Sequence, residues 1–501
     1  MTADLVMAVD QGTSSTRAIV YDRMWSEVAS ASRSLTTAHP RPGWAEQDPE
    51  AILGSVVDVV ADVLADVGGP SRIAALGIDN QGETVVAWDP SSGAALGPAI
   101  LWSCRRSQPI VDRVAGAGHG PAIRALTGLP LDAYFSASKM RWMLEQMPDV
   151  AGAAAAGRLA IGTVDAWLTA RLGPRPQTDP STASRTQLFE LGSLAWSARL
   201  GRWWDVPLDV LPAVVPSVGD LGTVSHPAWG GSLPLRAMLC DQQAALFGQG
   251  GFRPGLIKAT LGTGVFVLAN AGPMVPEAPE GILVTVAWTD AEGNPTYALD
   301  GGAFSAGALL DWLHEALDLI DDPVALDHLA AQADDAAGVC ILPALAGLGA
   351  PWWEPNARVV ISGLSPVAGR ANVARAAIDA IAQRTADIVE ALNAGAAGSR
   401  VPLRVDGGLT ASRLLVERLA DILGRPVAVA AASESTALGV GLMAAVGAGR
   451  LTEREASGVA STARRVLPRL AERERLAQRT SWRTFVRRAV ELAEPAGDLI
   501  S

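Results

Sequence analysis

The sequence predicts a mixed α/β protein, and three observations carry that expectation. Short apolar runs bounded by polar turns alternate with segments of helical periodicity. Strand–Gly-Thr–strand layouts occur near the N-terminus, around Gly12-Thr13, and again around Gly262-Thr263. A stretch rich in Gly and Pro, Gly250–Gly255, falls midway along the 501 residues. The repeat is faint by itself, because Gly-Thr turns between strands are common.

Taken in order, Leu5–Val9 and Ala18–Tyr21 are apolar runs that read as strands, joined by the polar segment Gln11–Arg17. Asp48-Pro49-Glu50 starts a helix, with Asp48 as N-cap and Pro49 in the first turn, where its missing N–H is harmless. Ile52, Val56, Val59, Val60 and Val63 continue it at helical spacing. Ala74–Ile78 reads as a strand, followed by the polar turn Asp79–Glu83 and a returning strand, Val85–Trp88. In the second half, Ile257–Leu261, the turn Gly262-Thr263-Gly264 and Val265–Ala269 repeat the N-terminal layout. A strand at Val339–Pro343, a helix over Asn372–Leu392, a strand and turn at Leu403–Gly408 and a helix after Thr410 follow. Residues 469–493, rich in Arg and Glu, read as a solvated terminal helix.

Composition narrows the function. With 49% hydrophobic residues the chain can bury sizeable cores. A net charge of −12 argues against nucleic acid or an anionic membrane surface as the main partner. Cys104, Cys240 and Cys340 include no C-x-x-C pair, which excludes a disulfide framework and a thiolate zinc site. Asp4 and Asp10 stand where a signal peptide would be basic and then apolar. The longest apolar stretch, Val427–Gly449, is broken by Glu434, so a soluble, cytoplasmic protein without a membrane span is expected. Lysine occurs only as Lys139 and Lys258, neither preceded by glycine, so no Walker-type phosphate loop exists.

Two segments could carry chemistry. Asp10-Gln11-Gly12-Thr13-Ser14-Ser15-Thr16-Arg17 ends a strand in a carboxylate, then offers backbone N–H and hydroxyl donors around one glycine. Such an array is either an ordinary turn or a cradle for polyphosphate, with Arg17 adding charge and Asp10 holding a Mg²⁺-associated water. Asp241-Gln242 heads an apolar helix. Its carboxylate is either an N-cap or a general base for an attacking hydroxyl.

Longer motifs bear on that choice. Tyr134-Phe-Ser-Ala-Ser-Lys139-Met-Arg-Trp142-Met-Leu-Glu-Gln146 resembles the first signature of the FGGY carbohydrate kinases, and Gly363-Leu364 with Asn372–Asp379 the second. Pro42–Glu46, Ile100–Arg106, Gly162–Asp165 and Ala344–Trp352 are similar to blocks of the glycerol kinases within that family, and the resemblance runs to about residue 490. It implies an actin-like (ribonuclease H-like) ATPase fold, with domains 1–250 and 251–501 and a nucleotide cleft between them. It also implies ATP and Mg²⁺ as cofactors, a small polyol or sugar as substrate and a homo-oligomer (dimer or tetramer).

Carried over by position, Thr13, Ser14, Ser15 and Arg17 match the nucleotide-phosphate loop, and Thr263 a second phosphate turn. Gly307, Asp311, Gly408 and Ser412 match adenine-nucleotide contacts. Asp241 matches the catalytic base, while Glu83, Trp102, Tyr134, Gln242 and Phe266, with Asp241 itself, match the polyol pocket. Three departures stand out. Gly82 replaces the arginine of the Asn-Gln-Arg-Glu-Thr motif, removing charged donors; either a water or a neighbour such as Arg105 compensates, or the substrate is larger than glycerol, in which case Gly82→Arg should shift preference back toward glycerol. Asp311 and Ser412 stand where Gln and Asn are frequent. The stretch His226–Leu235 lacks the loop through which some bacterial relatives bind fructose 1,6-bisphosphate, so no inhibition by that compound is expected.

Glycerol is therefore the expected acceptor, with a tetritol, pentitol, xylulose or ribulose as the alternative if Gly82 enlarges the pocket. A catalytically silent sugar sensor would have lost the base or phosphate loop, and Asp241 and Thr13 are both present. An actin-like filament or chaperone ATPase would share only the fold.

Overall fold

A computed structural model describes residues 3–320, 326–392, 401–432 and 434–493. Two mixed sheets organise it. In the first, β1 (Leu5–Gln11), β2 (Ser15–Tyr21), β3 (Glu27–Ser34), β4 (Ile73–Asn80) and β5 (Gly231–Cys240) lie in the order β3-β2-β1-β4-β5. The β1–β2 and β2–β3 pairs are antiparallel, and β4 and β5 join in parallel. In the second sheet, β6 (Ile257–Leu261), β7 (Val265–Gly272), β8 (Pro295–Ala303), β9 (Leu403–Asp406) and β10 (Val427–Ala430) lie in the order β8-β7-β6-β9-β10. Its pairing directions are the same. The faint Gly-Thr repeat is thus a structural one: each turn joins the first two strands of an equivalent five-stranded unit.

Strands β1 and β4 are buried almost throughout, as expected for parallel strands covered on both faces. They also run further than the apolar pattern suggests. Asp10 ends its strand as expected, with Gln11 added to β1, and Asp79 and Asn80 end β4, so Gln11, Asp79 and Asn80 belong to strands rather than to the turns expected for them. Polar residues at the carboxyl ends of parallel strands face the crevice where α/β proteins bind ligands.

The helices follow from capping and apolar spacing. Helix α1 (Pro49–Val67) starts where expected, with the Asp48 carboxylate accepting from Glu50 N at 3.0 Å, and ends at Gly68 in the left-handed conformation. Helix α2 (Ser136–Gln146) carries the first signature, α3 (Asp241–Gly248) follows β5 directly, and α4 (Gly307–Glu315) packs behind the second Gly-Thr turn. Helix α5 (Arg370–Leu392) starts two residues before the expected Asn372, and α6 (Arg413–Leu423) follows β9.

Helix α7 (Ser435–Gly447) accounts for the longest apolar stretch. It is apolar on every side because it is enclosed: Val440, Leu442 and Met443 share a core with Val6, Ala8, Leu239 and Leu246 of the first half. A Cβ on Gly77 would lie 2.4 Å from the Val440 carbonyl, so backbone meets backbone there. Among the described residues no helix is long and apolar enough to cross a membrane. The last helix, α8 (Glu472–Ala493), is not simply solvated as its charge pattern suggests. Arg479 is buried against Asp387 (2.8 Å) and Glu390 (2.5 Å) of α5, and Trp482 Nε1 donates to Asp387 Oδ2 at 3.0 Å.

Candidate active site

The first Gly-Thr turn sits at the cleft. Gly12 N–H donates to the Ser15 carbonyl at 3.0 Å, closing the turn and leaving Ser14 exposed. Thr13 is tied down from several directions. Its carbonyl accepts from Gln47 Nε2 at 2.6 Å, its hydroxyl donates to Gln81 Oε1 at 3.3 Å, and that hydroxyl accepts from the Trp102 indole at 2.9 Å. The last bond joins the Gly-Thr turn to the aromatic cluster beside it. Arg17, opposite Asp10 in the β1–β2 register, is paired with Glu434.

Three carboxyl groups meet below that turn. Asp10 and Asp79 are register partners on β1 and β4, and Asp241 begins α3. Burial pushes Asp10 up to about 6, and Asp79 well above the carboxylate range, where the Asp10 charge adds to the effect. Both Asp79 oxygens are buried without a hydrogen-bond partner. Orphaned buried oxygens beside a second carboxyl suit a hard divalent cation. Among the described residues, however, no group of three or more His, Cys, Asp or Glu could hold a metal by itself, so such an ion would need oxygens from a ligand or water.

Asp241 is the first residue of its helix; the N-cap is Cys240. Its Oδ1 accepts from Gln242 N at 2.6 Å and from the Cys240 thiol at 3.5 Å. Burial raises its pKa, and the Gln242 amide and the Lys258 charge pull it back. Lys258, fully buried on β6, donates to Gln242 Oε1 at 2.7 Å and to Thr260 Oγ1 at 3.0 Å. Thus one of the two lysines crosses from the second sheet to hold the amide beside Asp241.

The pocket next to Asp241 is aromatic and charged. Trp102 meets Tyr134 and Phe266 edge-on, with centroids 5.7 and 6.4 Å apart, and Tyr134 also meets Phe304 at 6.0 Å. Glu83 is buried and held in the left-handed region at φ 57°, an uncommon conformation for a non-glycine residue. Arg185 donates to Glu83 Oε1 and to Asp300 Oδ2, both at 2.6 Å, and lies 5.7 Å from the Tyr134 ring centre. Burial raises Glu83, and the Arg185 charge opposes that rise. Arg105, the suggested stand-in for a pocket cation, is instead bonded to Asp132 and Gln108 at the edge of a cavity of about 610 Å³ outside Trp102 and Tyr134. The guanidinium beside Glu83 is Arg185.

The second turn lies against α4. Ala306 and Ala308 N–H donate to the Thr263 carbonyl at 2.9 and 3.1 Å, and Gly307 N–H donates to the Gly262 carbonyl at 3.0 Å. A Cβ at Gly307 would sit 2.9 Å from that same carbonyl oxygen, which accounts for the glycine. Asp311 lies on the exposed face of α4, and Gly408 is exposed after β9. Ser412 caps α6, accepting from Leu415 N at 3.0 Å while its hydroxyl donates to Asp327. Gly407 has the tighter constraint, with φ 89° and a Cβ position 2.5 Å from the Leu261 carbonyl.

The structure therefore gathers Asp10, Thr13, Glu83, Trp102, Tyr134, Asp241, Gln242 and Phe266 around one cleft, and places Asp311, Gly408 and Ser412 on the second half. Sequence reading missed Asp79, Arg185, Lys258, Asp300, Phe304 and Gly407. The scarcity of lysine was the one available signal for Lys258. Lys139, inside the first signature, fixes the Tyr134 backbone. Its ammonium donates to the Ala133, Tyr134 and Phe135 carbonyls at 2.7, 2.6 and 3.2 Å.

A cleft with this inventory suits phosphoryl transfer to a small alcohol, and comparison with known proteins gives the class. Residues 5–248 match the N-terminal domain of the FGGY family of carbohydrate kinases, and residues 257–448 its C-terminal domain. The chain belongs to the FGGY family of carbohydrate kinases. Within it, the chain is 42% identical over 488 residues to a glycerol kinase of Aromatoleum aromaticum, covering 97% of this chain and 98% of that protein. It is 40% identical over 492 residues to a glycerol kinase of Dechloromonas aromatica, with 97% and 98% covered. Among solved structures it is similar to the Plasmodium falciparum glycerol kinase with ADP, at 28% identity and a TM-score of 0.90, covering 97% of this chain and 98% of that one.

Proposed function

We propose that this kinase transfers the γ-phosphoryl group of ATP to glycerol, giving glycerol 3-phosphate. The observation that carries the reading is the compact cage of Trp102, Tyr134 and Phe266 closed by Glu83, Asp241 and Gln242, in a chain about 40% identical to glycerol kinases along nearly its whole length.

The acceptor's carbon skeleton packs against the aromatic rings, and its hydroxyls bond to Glu83, Asp241 and Gln242. Arg185 occupies one Glu83 oxygen and opposes the rise that burial imposes on this carboxyl, which favours the form that accepts a hydroxyl proton. Asp241 takes the proton of the attacking hydroxyl as its oxygen bonds to the γ-phosphorus and ADP departs. Thr13, Ser14, Ser15 and Thr263 present amides and hydroxyls to the phosphates from the two turns, and Arg17 contributes charge at the rim. Gly307, Asp311, Gly408 and Ser412 face the adenosine end. Mg²⁺, held near Asp10 and Asp79, would supply countercharge to the phosphate oxygens. The division into an acceptor-binding half, 1–250, and a nucleotide-binding half, 251–501, goes with this reading, as do a cytoplasmic location and a homo-oligomeric state.

A coupled ADP-release assay across glycerol, erythritol, threitol, ribitol, xylulose and ribulose tests it. Glycerol should give the highest kcat/KM. A longer acceptor in first place would overturn glycerol, and rapid ATP turnover with no acceptor would overturn the kinase mechanism.

A further inference from the structure

Gly82 and Cys240 meet at the wall of the acceptor site. Gly82 precedes Glu83, and its backbone lies outside the left-handed region, so nothing in its own conformation demands glycine. A neighbour bears on it instead: a Cβ at position 82 would lie 2.8 Å from Cys240 Sγ, closer than such carbons are found, so the thiol would have to shift to admit one. Cys240 is 3% exposed and ends β5, where its N–H donates to Ser181 Oγ at 2.8 Å. Its thiol reaches Asp241 Oδ1 at 3.5 Å, so the sulfur touches both Gly82 and the carboxylate that takes the acceptor's proton. Cys240 is buried, so any shift of the sulfur has to be taken up by its neighbours.

We propose that Cys240 is a specificity-determining residue acting as a pair with Gly82: its sulfur fills the wall that glycine leaves open, which confines the acceptor to three carbons. The lack of a side chain at 82 is therefore not an enlargement of the pocket. It also follows that an arginine placed at 82 alone meets the sulfur, and is seated without that conflict only if the sulfur is removed as well. This inference deepens the glycerol reading and rests on it for the identity of the acceptor, but the steric pair itself can be measured without any acceptor.

The test is a double-mutant cycle of Gly82→Ala, Cys240→Ala and the two combined. Gly82→Ala should lower the melting temperature by several degrees and kcat/KM for glycerol at least tenfold. The double variant should recover most of both. Cys240→Ala alone should raise kcat/KM for erythritol and threitol relative to glycerol about tenfold. Additive melting temperatures, or a Gly82→Ala protein indistinguishable from the parent, would overturn the pairing. If Gly82→Ala fails to fold, recovery of folding in the double variant supports the pair, and failure to recover overturns it. An unchanged acceptor ranking in Cys240→Ala overturns the specificity assignment. Should the parent enzyme ignore glycerol, the glycerol reading fails while the melting-temperature cycle still decides the contact.

Discussion

Asp241 and Lys258 show how single residues set the chemistry. Asp241 must be ionised to accept a proton, and burial raises its pKa, so the rate falls on the acid side at a higher pH than an ordinary carboxylate would give. Lys258 works against that rise from 2.7 Å beyond Gln242, itself facing Asp241, Asp300 and Asp406. Replacing Lys258 by Met should therefore move the acid limb of the kcat profile to higher pH and raise KM through a loosened Gln242; an unmoved limb would show that Asp241 does not feel the ammonium. Asp241→Asn should lower kcat by roughly 10²–10⁴ with a smaller change in KM, read by ADP release. Asp241 was legible in the sequence because it heads an apolar helix and matches by position the base of the family that the chain resembles. Lys258 was not, because a lysine inside an apolar strand has no local pattern that names its partner across the cleft.

At the scale of elements, the position of α3 depends on how closely another helix approaches it. A Cβ on Gly439 of α7 would lie 1.8 Å from the Ala244 carbonyl of α3, and one on Gly248 would lie 2.0 Å from the Ser435 carbonyl. Gly439→Ala should force the helices apart, costing about 1–3 kcal/mol or more in urea unfolding and lowering kcat because Asp241 moves with α3. The helix Val164–Leu172 offers a pH test. Burial holds Asp165 at about 6 against an ordinary 3.8, although Thr163 Oγ1 donates to it at 2.5 Å. The folded chain thus binds this proton more tightly than the unfolded chain, so stability falls as pH rises between about 4 and 6 and stays lower above that range. Two pKa units correspond to roughly 2–3 kcal/mol. Relative to the parent, Asp165→Asn should gain on that order between pH 4.5 and 7.5, measured by urea unfolding at both values.

Across the whole molecule, the two halves are joined by buried polar contacts as well as by apolar packing. Arg185 bridges Glu83 of the first half and Asp300 of the second, and Ser184 Oγ meets Thr285 Oγ1 at 2.7 Å nearby. Arg185→Met would leave two buried carboxylates unpaired, a loss of about 3–5 kcal/mol. Protonation relieves a buried carboxylate such as Glu83, which burial already pushes up, so the loss should be greater at pH 8 than at pH 5 in denaturant unfolding. The same variant should raise KM for the acceptor, since Glu83 loses the guanidinium that positions it. An equal loss at both pH values would mean that the bridge is not what Arg185 contributes.

The sequence by itself determined the α/β class, the helix starting at Asp48, the two Gly-Thr turns, the absence of a Walker loop and, through its motifs, the family. These are local or collinear signals: a cap, a period, a spacing or a string of residues in order. Only the tertiary structure decided that the repeat is a doubled five-stranded unit, that α7 covers the first sheet, and that Arg185 bridges Glu83 and Asp300 while Lys258 reaches Gln242. It also decided what Gly82 means. A missing side chain reads as added space until the sulfur of Cys240, 158 positions away and brought alongside by β4 and β5, is seen to occupy it. Volume and charge at a point in space are sums over whatever the fold brings there, and no window along the chain contains all the contributors.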